Sequence, residues 1–127
     1  MKLPGRLVFA LALGLVALQS NAQQSNPYNG SWLATLNNDR GVPEQYEVVV
    51  TELTGTWRAT QLRAKNPCRG LTMPVAVTSA TATDFEFSIN GSKVLSGCSD
   101  LTVSVKRTND KMMEGQVNDG RKITLVR

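Results

Sequence analysis

The sequence predicts an all-β domain: an eight-stranded antiparallel up-and-down meander closed into a small barrel and tied by one disulfide. Three observations predict it. Apolar side chains recur every second residue from Gly30 onward, turn-forming pairs separate the strands, and two cysteines fall at the same end of the meander.

The alternation is cleanest in "FEFSI", where Phe85, Phe87 and Ile89 point one way and Asp84, Glu86 and Ser88 the other. "LTVSV" repeats it with Leu101, Val103 and Val105, "LTMPVAV" with Leu71, Met73, Val75 and Val77, and "RKITLVR" with Ile123 and Leu125. "SWLATL", "QYEVVVTEL", "TWRATQL" and "MMEGQV" are less regular but rich in residues that suit a pleated surface. The resulting strands cover about 31–37, 45–53, 56–62, 71–79, 83–90, 100–107, 111–118 and 121–127.

Thr54-Gly55, Thr81-Ala82, Asn109-Asp110 and Asp119-Gly120 read as hairpin turns between neighbours, and such short links favour a meander over a Greek key. Eight strands without evident edge protection favour closure. Pro74 cannot donate to a ladder, so strand four is expected to be bulged or unpaired there, which makes this the seam where a split of the barrel would fall. Residues 23–29 are polar and contain Pro27, which predicts a flexible lead-in to a single domain over 30–127.

The N-terminus predicts export. Lys2 and Arg6 precede an apolar run from Leu7 to Leu18, and Ser20 and Ala22 supply the small residues of a signal-peptidase site. Cleavage after Ala22 would leave 105 residues, enough for one modest core. It would also leave twelve basic residues against ten acidic ones. A chain so close to neutral has no strong electrostatic claim on nucleic acid or on a membrane surface, and no membrane anchor is expected. A periplasmic or secreted location is oxidising, so Cys68 and Cys98, 30 positions apart, are expected to pair. With no histidine and only two cysteines, neither a metal site nor a cofactor is expected.

In a meander, Cys68 (third connection) and Cys98 (fifth) share one end with the long loops 38–44, 63–70 and 91–99. The opposite end has only tight turns and should be plugged. Trp32 and Trp57 each follow a glycine by two residues at the start of a strand, and they are expected to fill that barrel floor beside Arg127. The apolar strand faces are expected to fill the interior, because eight strands enclose little more than their own side chains.

Histidine-based catalysis is excluded by composition, and the paired carboxylates Asp84 and Glu86 belong to a solvated face, so no enzyme is expected. Glu44 and Glu47 are the other close acidic pair, at the start of a strand. The loop end instead gathers Arg40, Arg63, Lys65, Arg69 and Lys93, a basic lip suited to a small anionic ligand or to an acidic patch on a protein partner. The sequons at Asn29 and Asn90 are equally explained as turn residues.

"GSW" (30–32) resembles the glycine-x-tryptophan opening of lipocalin and avidin barrels, and "LTGTW" (53–57) is similar to avidin-type strand openings. The resemblance implies a small calycin-like barrel whose mouth holds a small ligand. It does not imply biotin, since the tryptophans that wall that site are absent here. "NPYNGSW", the "GC" pair and "DGRKITLVR" are similar to segments of small secreted proteins of Burkholderia-like bacteria, which implies a compartment rather than an activity.

The expected function is thus an exported binding module working through its disulfide-pinned loop end. Periplasmic lysozyme inhibitors are also small disulfide-bearing barrels, so an inhibitor or immunity factor against an exported hydrolase is the alternative. Their inhibitory loop motif is not recognisable in this chain. A structural or antigenic surface protein without a discrete site is the third reading.

Overall fold

The computed structural model describes residues 25–61 and 66–127. The leader expected at 1–22, together with Arg63 and Lys65 of the expected basic lip, lies outside the described residues. Eight strands close on themselves in chain order: β1 (Gly30–Asn37), β2 (Pro43–Thr51), β3 (Thr54–Ala59), β4 (Met73–Ala80), β5 (Asp84–Asn90), β6 (Asp100–Asn109), β7 (Met112–Val117) and β8 (Lys122–Val126). Every neighbouring pair is antiparallel, and β8 returns to β1 through Leu33↔Val126 to Leu36↔Ile123. The meander, the closure and the Cys68–Cys98 disulfide are those the periodicity and the turns predict.

The expected split at Pro74 is not found. Pro74 pairs in register with Thr56, and the bulge of this strand lies further on, between Val77 and Ser79. Pro74 is only the second residue of β4, so the ladder loses little there, whereas the bulge sits where the sheet must bend to close. A second register shift, between Arg107 and Asn109, bends β6 near its own end.

Inward-facing positions alternate along each strand and fill the lower interior. Val48, Val50, Phe85, Phe87, Val103, Val105, Met113, Ile123 and Leu125 are all buried. Phe85 and Phe87 meet edge to face at 5.2 Å. Burying each large apolar side chain stabilises the fold by about 1.5–3 kcal/mol. Gly115 allows β6 and β7 to pack closely, since a Cβ there would run into the backbone of Ser104 and Val105.

One end is sealed. Residues Asn26–Asn29, expected to be a loose lead-in, instead fold under the barrel, because Tyr28 is the one apolar body in the polar stretch and finds a pocket to fill. Tyr28 is 2% exposed, packs against Phe85 at 4.7 Å and donates its hydroxyl to the Thr81 carbonyl at 2.6 Å. Its own carbonyl accepts from Trp32 Nε1 at 2.8 Å.

Glu52, in the β2–β3 turn, completes the clasp. Its carboxylate accepts from the Asn26 backbone N–H at 3.1 Å and from Asn29 Nδ2 at 2.6 Å. Its backbone N–H donates to Asn29 Oδ1 at 2.7 Å, and its carbonyl accepts from Asn26 Nδ2 at 2.8 Å. Those bonds hold Glu52 at φ 54°, a left-handed conformation costly for a residue with a side chain. Arg127 lies 4.3 Å over the Trp32 ring and donates to the Asn29 carbonyl at 3.1 Å. Such a cation over an indole contributes about 0.5–2 kcal/mol.

Trp57 is not part of this floor. Trp32 pairs with Val48, Val48 with Trp57, and Trp57 with Met73, the first residue of β4 at the loop end. In an eight-stranded barrel the strands tilt by about 35–45°, so a row running straight across the ladder climbs the barrel axis. The row therefore starts near the sealed end at Trp32 and reaches the open end at Trp57.

Candidate functional site

The open end collects the connecting residues 38–42, 60–61, 66–72, 91–99 and 118–121. Below them lies a cavity of about 420 Å³, within the size range of small-molecule sites. Its base is apolar, formed by Trp57, Met73, Ile89, Leu71, Leu101 and the Cys68–Cys98 bridge. The bridge ties the third connection to the fifth with Cα atoms 5.7 Å apart. The loop between β5 and β6 begins with a short 3₁₀ turn, Gly91–Lys93, where Gly91 leaves room for Cys98 and Met73.

The upper wall is polar, and the strand pattern explains why. Glu44 shares inward parity with Tyr46, Val48 and Val50 on β2, so its carboxylate points into the barrel and is 8% exposed. Two partners compensate it. Tyr46 donates its hydroxyl to Glu44 Oε2 at 2.7 Å, and the Arg69 guanidinium, reaching in from the loop beside Cys68, pairs with Oε1. Tyr46 also stacks on Trp57 at 4.5 Å, with the ring planes 24° apart. Burial raises the Tyr46 pKa, and the nearby Arg121 partly offsets that.

Arg121 precedes β8 with the parity of Ile123 and Leu125 and lines the cavity. It is held by Asp119, Nε to Oδ2 at 2.7 Å, and donates Nη1 to the Asn37 carbonyl at 3.2 Å. Asn38, Asp39, Asn66 and Ser99 complete the rim. A more open recess of about 370 Å³ continues outward past Arg40 and Val42.

The structure brings together only part of the basic lip read from the sequence. Arg69 lines the cavity as one half of an ion pair with Glu44, and Arg40 lines the outer recess. Lys93 is exposed on the 3₁₀ turn and is not among the residues that line either space. From the sequence Glu44 reads only as a mouth charge and half of an acidic pair, and Arg121 is missed, although the inward parity of each, carried one step past an apolar strand, points at them. Asp84 lies on the exterior, and Glu86 is half-buried. Asp100 accepts two hydrogen bonds from Ser92, backbone at 2.9 Å and hydroxyl at 2.7 Å, and these lower its pKa.

Fold and site together define a closed eight-stranded antiparallel barrel with one sealed and one open end. The sequence matches no protein-family model and no curated relative. Among solved structures the barrel is similar to a redesigned β-barrel, mFAP1, bound to DFHBI. The TM-score is 0.52 at 17% identity, over 80% of this chain and 95% of that one. A second redesigned β-barrel, b11L5F_LGL, covers 80% of this chain and 91% of its own length at 19% identity and TM-score 0.48. At these identities the likeness establishes the barrel and no narrower family.

Proposed function

We propose that this chain is an exported small-molecule-binding module whose site is the cavity at the loop end. One observation carries the reading: the inward faces change character as they reach the loops. Leu36 gives way to Asn38, Tyr46 to Glu44 and Ile123 to Arg121. Placing such groups inside a barrel costs free energy unless they are partnered, and a mouth with no use for the space could close on apolar side chains as the other end does. That a redesigned barrel of the same fold is bound to DFHBI supports the architecture as a ligand holder by analogy alone. The disulfide supports an oxidising compartment. Binding is favoured over catalysis because two of the wall's carboxylates, Glu44 and Asp119, are engaged by arginines, and the third, Asp39, is exposed at the rim.

Ala59 lines the cavity beside Tyr46, so Ala59→Trp should fill it. Native mass spectrometry of protein purified from its own host should find a small molecule that the Ala59→Trp protein lacks while keeping its fold. A chain that carries and takes up no small molecule, or one that keeps it with Trp at position 59, would overturn the proposal. Cell fractionation with N-terminal sequencing checks export, and the expected first residue is Gln23.

A further inference from the structure

Both arginines of the described cavity wall are matched within it, Arg69 by Glu44 and Arg121 by Asp119, and the remaining charge, Asp39, is exposed at the rim. An anionic ligand would have to draw Arg69 or Arg121 from its carboxylate, and freeing Arg69 strands the buried Glu44. An uncharged ligand leaves both pairs in place.

The remaining polar groups are of both senses. The Oδ1 atoms of Asn38 and Asn66 already accept backbone N–H bonds within their loops, so each side chain has its NH₂ left to donate. Asp39 offers accepting oxygens beside them, and Asp119, whose two oxygens accept from the Arg121 backbone N–H and Nε, keeps a further lone pair on each. Under this ring of mixed donors and acceptors lies the Tyr46–Trp57 stack. Hydroxyl groups that both donate and accept, set around a ring with an apolar C–H face, match that arrangement. Resting on the binding reading above, we propose that the cavity takes an uncharged mono- or disaccharide. Its C–H face packs on the Tyr46–Trp57 wall, and its hydroxyls reach Asn38, Asn66, Asp39 and Asp119.

Titration calorimetry of the oxidised protein tests this with glucose, N-acetylglucosamine, maltose and cellobiose as neutral probes. Glucuronate and glucosamine serve as charged counterparts, and Nile red as an apolar one. At least one neutral sugar should bind with Kd of about 1 mM or tighter, at least tenfold ahead of both charged sugars. Tyr46→Ala should weaken it at least tenfold. Asp39→Leu, on an exposed loop where folding is not at stake, should weaken it about fivefold. A charged sugar that binds as tightly as its neutral counterpart overturns the proposal. Nile red uptake that Ala59→Trp abolishes, with no neutral sugar bound, overturns the saccharide and keeps the cavity. No uptake of any probe overturns both.

Discussion

The sealed and open ends of the barrel start from the same material, strands whose inward faces alternate with outward ones, and finish differently. At the sealed end, Tyr28 fills the bore and Glu52 gathers the preceding asparagines, so the polar groups satisfy one another around an aromatic plug. At the open end no side chain among the described residues plugs the bore. Two ion pairs, one aromatic stack and a covalent bridge hold the wall around a cavity. The contrast teaches that stability and binding are separable here: the plug can be weakened without touching the site, and the site can be altered without unsealing the barrel.

Tyr28→Ala should break the comparison hardest on the sealed side. Removing a buried aromatic costs about 3–5 kcal/mol, read as a lower denaturant midpoint, while probe affinity of the still-folded protein stays unchanged. Replacing both Cys68 and Cys98 by serine should cost about 3–4 kcal/mol in the chain-entropy account and, unlike the Tyr28 change, should also weaken probe binding. Arg69→Ala leaves the Glu44 carboxylate buried without its cation and should cost about 3 kcal/mol. Replacing the pair together, Glu44→Leu with Arg69→Met, should recover most of that stability but not the site, a split that thermal melts and calorimetry separate.

The smallest expected effect is on alkaline stability. Burial raises the pKa of both Tyr46 and Tyr28 above the ordinary value of 10.0; Arg121 offsets the first, and Arg107 partly offsets the second while Asp84 adds to it. A raised phenol pKa contributes stability that is fully present below pH 10 and is lost as pH rises through the folded value. Melting temperature should therefore fall with pH above 10. Tyr46→Phe should flatten that fall from the open end and Tyr28→Phe from the sealed end, with phenolate absorbance tracking the ionisation.

Much of the fold was legible because period-two patterning and tight turns are local signals. Strand order, closure and the meeting of Cys68 with Cys98 all followed from them. What was not legible is non-local. Trp57 reads as part of the floor because its strand, like that of Trp32, starts at that end of the meander, yet strand tilt carries it to the mouth. Tyr28 was hidden in a polar stretch whose folding depends on a bore formed by residues far along the chain. Glu44 read as a strand start, and only its parity with Tyr46 and Val48 reveals that it faces inward. Arg69 reads as one cation of a basic lip, whereas in space it is paired with Glu44 of β2, far from it in sequence.

The return of β8 onto β1 has a consequence for how the molecule behaves in company. Each strand already has two neighbours, so among the described residues no row of free amides and carbonyls is left for a second copy to extend. Crowding the folded barrel should not seed fibrils by ribbon addition at these strands, and any assembly of the barrel must be carried by side chains rather than by free backbone.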